Sequence, residues 1–149
     1  QVAIMKPDPT ARALNAIVRD LMNTRDGATY FAGRVWGVHT HYDLGGDHPL
    51  VGHSVPNFEL EDGTKIGELM HDGQGMLLDF DRNASLKSLA SEYGEMKYVS
   101  GAAKEELGLS AALIRPDGFI AWACDSKPDE QSIGQAATQW FGRSGPVPM

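Results

Sequence analysis

Four histidines fall close together, His39, His41, His48 and His53, with the carboxylates Asp43 and Asp47 among them. In an extended segment His39 and His41 point to the same side, as two imidazole ligands of one metal ion must. A carboxylate three or four residues beyond the second histidine would extend such a set, but Gly45 and Gly46 stand there. The favoured reading is therefore hydrogen-bonded connector histidines, with no metal bound.

Redox chemistry would need a Cys-x-x-Cys pair at the start of the helix that follows a central strand, where the helix N-terminus lowers a thiol pKa. The residues at that turn are Asp81-Arg82-Asn83-Ala84, and the only cysteine, Cys124, follows a later apolar run. A partly buried, unreactive thiol is expected there. Gly52-His53-Ser54-Val55-Pro56 partly matches the Gly-x-Ser-x-Gly turn of serine hydrolases, yet Pro56 replaces the last glycine and no apolar strand leads into it. The close glycine pairs, Gly45-Gly46 and Gly73 with Gly75, lack the third glycine and following helix that a dinucleotide pyrophosphate needs. No catalytic and no cofactor-binding residue is expected in this chain. Trp122 and Trp140 are expected in the core rather than on a binding surface.

The elements that position these residues come from a chain of 149 residues, 42% hydrophobic, with a formal net charge of −7. That size suits one globular domain with an appendage. The acidic balance argues against nucleic acid and anionic membranes as partners, since both select clustered Lys and Arg. No apolar run approaches the roughly 20 residues of a membrane-spanning helix. The single cysteine fits a reducing compartment, and a cytoplasmic location is expected. The sequence begins at Gln1, which suggests a fragment or a processed chain.

Leu14, Ile17, Val18, Leu21 and Met22 repeat at helical spacing behind Asp8-Pro9, a cap and first-turn proline, and Gly27 lies just beyond a plausible end. Residues 30–55, rich in glycine and histidine, carry no periodic pattern and read as a structured connector. From Pro56 the pattern alternates. Asn57-Phe58-Glu59-Leu60 reads as a strand, Asp62-Gly63 as a turn, and Ile66-Gly67-Glu68-Leu69-Met70 as a helical turn. Gly75-Met76-Leu77-Leu78-Asp79-Phe80 reads as a strand covered on both faces. Leu86, Leu89, Ala90 and Tyr93 mark a helix capped by Asn83, and Met96-Lys97-Tyr98-Val99 a third strand. A hairpin turns at Pro116-Asp117-Gly118. Ile133, Ala136, Ala137, Trp140 and Phe141 form a last helical stripe. Gly145-Pro146-Val147-Pro148 reads as a frayed end. This order predicts an α/β thioredoxin-like sandwich: a mixed sheet with a parallel pair through residues 76–99, helices on both faces, and the N-terminal helix and Gly/His-rich connector in front.

Four stretches carry a family resemblance: Gln1-Val2-Ala3-Ile4-Met5-Lys6-Pro7-Asp8, Tyr42-Asp43-Leu44-Gly45-Gly46-Asp47-His48-Pro49-Leu50-Val51-Gly52, Met76-Leu77-Leu78-Asp79-Phe80, and Arg115-Pro116-Asp117-Gly118-Phe119-Ile120-Ala121-Trp122-Ala123. Together they resemble the C-terminal third of FAD-dependent aromatic hydroxylases of the para-hydroxybenzoate hydroxylase type, particularly those acting on aromatic polyketides. Tyr42, Asp43, Gly45, Asp47, His48 and Pro49 are the connector residues of that motif. The resemblance implies that residues 1–52 match the end of the flavin-bearing body and residues 53–149 a thioredoxin-like C-terminal domain. It implies a parent enzyme that hydroxylates a ring with FAD, NAD(P)H and oxygen, its flavin held by motifs upstream of Gln1. The chain itself is then non-catalytic, structural or involved in subunit contact. Its partners would be the missing flavin-domain residues or a second copy of the chain. The alternative is a free-standing, non-redox thioredoxin-like module that binds a protein or a hydrophobic metabolite.

Overall fold

The fold is given by a computed structural model that describes residues 8–142. The Gln1 to Pro7 part of the first motif and the frayed end expected at Gly145 to Pro148 lie outside the described residues. The chain divides into two compact units, residues 1–40 and 41–149.

The first unit holds α1 (Pro9–Met22) and α2 (Arg25–Val35). The Asp8 side chain accepts from the Ala11 amide at 2.8 Å, the expected N-cap, with Pro9 in the first turn. In the apolar stripe of α1, Leu14, Ile17, Leu21 and Met22 are 41–58% exposed and Val18 is half-buried. The connector expected from residue 30 is helical at its start, because α2 occupies 25–35. Thr24 makes this second helix possible. Its hydroxyl donates to the Leu21 carbonyl at 2.7 Å, closing α1, and accepts from the Gly27 amide at 3.1 Å, opening α2. Gly27 permits that turn, because a Cβ there would lie 1.9 Å from the Leu21 oxygen.

The second unit is built on a mixed four-stranded sheet in the order β2-β1-β3-β4. Its strands are β1 (Gly75–Asp79), β2 (Met96–Ser100), β3 (Ala111–Ile114) and β4 (Ile120–Cys124). β1 pairs parallel with β2 and antiparallel with β3, and β3 pairs antiparallel with β4. The helix α3 (Ala84–Ala90) carries the crossover between the parallel strands, and α4 (Glu130–Trp140) follows the hairpin. The Asn83 side chain caps α3 as expected, accepting from the Ser85 amide at 3.0 Å.

Every residue of β1 is buried, as its continuous apolar run requires. The pleat then sorts its side chains. Leu77 faces a core with Leu86, Leu113, Trp122, Ile133 and Phe141, which α3 and α4 cover. Met76 and Leu78 face a second core with Val51, Leu60, Ile66, Ile114 and Ile120. The expected pair of helix-covered faces is thus met differently. Both α-helices of this unit join one core, while the other is covered by the connector and a 3-10 helix, Ile66–Met70. The strand expected over residues 57–60 is only two isolated bridges, Glu59 with Lys65 and Leu60 with Ala103. The turn at Gly63 folds this segment back on its own neighbour before a longer ladder can form, with the Leu60 amide donating to the Thr64 carbonyl at 2.9 Å.

Candidate functional site

The connector motif becomes a set of hydrogen bonds that fasten it to the hairpin. The Tyr42 amide donates to the Gly52 carbonyl at 2.9 Å, the Gly52 amide to the Ile120 carbonyl at 2.8 Å, and the Ile120 amide to the His53 carbonyl at 2.9 Å. Gly52 has φ +83°, and a Cβ there would sit 1.9 Å from the Tyr42 oxygen, so only glycine closes this loop. The Tyr42 ring meets Phe119 edge-on at 4.8 Å. Asp43 accepts from the Gly45 amide at 3.3 Å, turning the chain in the manner of short polar side chains. Asp47 and Pro49 are exposed.

The four histidines do different things. His39, in the first unit, packs on Gly33, where a Cβ would come within 2.3 Å of its ring. His41 and His53 oppose each other across a bridge, rings stacked at 4.6 Å. Both ring nitrogens of His48 are engaged. Nδ1 accepts from the Leu50 amide at 3.1 Å, so Nε2 carries the proton and donates to Asp125 Oδ1 at 2.8 Å. Among the described residues no group of three or more His, Cys, Asp or Glu is arranged to hold a metal ion. His48 and Asp125 have the outline of a catalytic pair, but an imidazole bonded at both nitrogens has no site left to take a proton from a nucleophile. Ser54 lies in a bridge with Phe119 instead of at a strand-to-helix turn.

The turn after β1, where a redox pair would stand, is closed by a buried carboxylate. Asp79 is fully buried. Oδ1 accepts from the Asp81 amide at 3.1 Å, and Oδ2 from the Asn83 amide at 2.5 Å and the Tyr98 hydroxyl at 2.7 Å. Burial first, and the bond to this carboxylate second, push the Tyr98 phenol above its ordinary pKa. The amides that would cradle a phosphate at this turn already serve an internal anion, and a second anion would be repelled. The described residues therefore do not fit a flavin pyrophosphate here. Burial likewise raises the Cys124 pKa, with the Asp125 and Asp81 charges adding to it, so the thiol stays protonated at neutral pH. Trp122 is in the core, its indole N–H donating to Ser132 Oγ at 2.9 Å, while Trp140 is half-buried with Arg115 stacked 4.2 Å above it.

The connector, β4 and α4 enclose a groove of about 340 Å³, floored by residues 121–123 and walled by Asp47 and His48 on one side and Ser132, Gln135 and Gln139 on the other. A shallower cavity of about 290 Å³ beside Ser110 is lined by Asp81, Glu105, Glu106 and Asp125. Sequence reading missed Asp125, which lies 77 residues from His48, and Asp79, whose burial nothing local announces beyond its place at the end of an apolar run.

Comparison with known proteins gives a consistent neighbourhood. The profile for the C-terminal region of aromatic-ring hydroxylases matches residues 48–144. A monooxygenase of Claviceps purpurea is 40% identical over 144 residues, covering 95% of this chain and 28% of that protein. The 12-dehydrotetracycline 5-monooxygenase/anhydrotetracycline 6-monooxygenase of Streptomyces rimosus is 28% identical over 151 residues, covering 95% and 30%. The solved structure of the anhydrotetracycline hydroxylase OxyS, also from Streptomyces rimosus, superposes with a TM-score of 0.77 at 28% identity, over 93% of this chain and 30% of that one. The chain thus spans less than a third of the length of these relatives.

Proposed function

We propose, because the chain belongs to the aromatic-ring hydroxylase C-terminal family, that it serves as the C-terminal part of an FAD- and NAD(P)H-dependent aromatic-ring monooxygenase. Its role there is structural or one of subunit contact, and the chemistry resides elsewhere. The observation that carries this reading is the family match over residues 48–144 in a chain that spans under a third of its relatives. In support, the best-placed acid–base group, His48, has both nitrogens engaged, and burial keeps Cys124 protonated.

In this reading the sheet and its helices form a thioredoxin-like domain without its redox pair. Residues 1–52 are the end of a flavin-bearing body and residues 53–149 the C-terminal domain. The flavin is held by chain outside the described residues. The exposed stripe of α1 is the face that the flavin-bearing body, or a second copy of the chain, would cover. The relatives named for anhydrotetracycline support a fused aromatic polyketide ring as the substrate class, and a cytoplasmic location of the whole enzyme is part of the same proposal.

The test has two parts. The 149-residue chain, purified and mixed with FAD and NADPH, is expected to bind no stoichiometric flavin and to consume no NADPH. The reading frame upstream of Gln1 is expected to continue into a glycine-rich flavin-binding sequence. A yellow, NADPH-oxidising chain would overturn the non-catalytic role, and an initiator Met directly before Gln1 would overturn the role as part of a larger enzyme.

A further inference from the structure

The groove beside His48 has a feature that side-chain chemistry alone does not describe: it straddles the edge of the sheet. β4 is the terminal strand. The connector pairs with it only at its first residue, through the Ile120 amide and carbonyl. Among the described residues no strand or bridge lies outside residues 121–124. The floor of the groove is that edge, and its two walls come from opposite faces. The connector covers one core and α4 the other.

We propose that this groove takes an extended peptide segment bearing a basic side chain, which adds to the outer edge of β4 by main-chain hydrogen bonding. This goes beyond the reading above and does not rest on it. Three observations select that occupant. Ala121 and Ala123 line the floor while their methyls belong to the two cores, so neither side chain obstructs a second backbone at ladder distance. Gln135 and Gln139 stand one turn apart on α4 and line the groove as exposed residues, and their primary amides can both donate and accept as a peptide backbone does.

The third observation is charge. His48 is spent on Leu50 and Asp125, and the Ser132 hydroxyl on Trp122 and Asp129. Asp47 is left as the charged wall group, exposed and in a chain of net charge −7. A Lys or Arg at that point of the segment answers it. The raised walls admit one strand and keep out the flat edge of another sheet, which disfavours a second copy of β4 as the occupant.

The test titrates the 149-residue chain with two fluorescein-labelled peptides, Thr-Val-Thr-Lys-Thr-Val-Thr and its counterpart with Glu in place of Lys. Anisotropy and amide hydrogen exchange are followed together. The Lys peptide is expected to bind saturably and to slow exchange at residues 121–124. Asp47→Lys, at an exposed site, is expected to weaken the Lys peptide by about tenfold or more and to turn the preference toward the Glu peptide. Failure of both peptides to saturate, protection that falls away from β4, or affinities indifferent to Asp47→Lys would each overturn the proposal. So would anilinonaphthalene sulfonate protecting residues 121–123 where both peptides fail, which would assign the groove to an apolar metabolite.

Discussion

Replacing Tyr98 with Phe deletes one of the three donors that satisfy the Asp79 carboxylate, together with the hydroxyl's side-chain interaction with Ser100. The lost bond is 2.7 Å long and reaches a carboxylate with no solvent exposure. Hydrogen bonds to charged groups contribute about 1.5–3 kcal/mol, so Tyr98→Phe should cost about 2 kcal/mol. Asp79→Ala leaves the amides of Asp81 and Asn83 and the Tyr98 hydroxyl without their acceptor. Because that loop is half-exposed and water reaches part of it, about 3 kcal/mol is expected rather than the full penalty for each group. The double variant should lose less than the two single effects together, with a coupling of about 1.5 kcal/mol, since both remove the same bond. Urea unfolding of the four proteins measures this, with an unchanged m value as the control. The Tyr98 phenol gives a second reading. Its folded pKa is raised, so its contribution to stability is complete below about pH 10 and is lost as pH climbs through the higher folded value. In Asp79→Ala the bond to the carboxylate goes while burial remains, so absorbance titration should show the phenol ionising earlier but still later than an exposed tyrosine. Additive single effects, or a Tyr98→Phe cost under about 0.5 kcal/mol, would refute the picture of a mutually satisfied buried carboxylate.

Other expectations follow from single positions. Gly52→Ala must place a Cβ 1.9 Å from the Tyr42 oxygen at φ +83°, and should destabilise the chain by about 1–3 kcal/mol in the same urea assay. Cys124, its pKa raised by burial, should alkylate slowly with iodoacetamide at neutral pH, with a rate still climbing where an ordinary thiol of pKa about 8.5 has levelled. The Lys104 ammonium lies 2.6 Å from Glu59 and lowers its pKa. The stability this gives is present above the ordinary glutamate value of about 4.3 and is lost as pH falls through the lower folded value. Lys104→Met should flatten that part of the stability profile measured by thermal unfolding.

What could be read from the sequence was what local rules decide. The apolar run of β1, the Pro116-Asp117-Gly118 turn and the stripe of α4 each report a periodicity or a backbone conformation set within a few residues. The second helix escaped because Gly27, Gly33, Tyr30 and Phe31 give it little amphipathic contrast, and its start depends on Thr24 serving two helices at once. The segment 57–60 has a true strand pattern, but pattern does not supply a partner. In the same way, the pairing of His48 with Asp125 and the burial of Asp79 are products of assembly. Each joins groups that the chain order keeps apart or that no composition rule would place inside. The connector histidines drew attention through their density alone, and the fold pairs His41 with His53 while giving His39 and His48 partners of their own.

The pairing of the connector with the hairpin has a mechanical consequence. A tether ordinarily absorbs displacement in its own slack. Here Tyr42 is tied to Gly52, Gly52 to Ile120, and Ile120 back to His53, all by backbone amides. A pull at Tyr42 therefore arrives at the first residue of β4 with no compliant side chain in between. Lengthening residues 42–52 would only enlarge the loop. Adding one residue between His53 and Val55 would put the segment out of step with the strand that holds it.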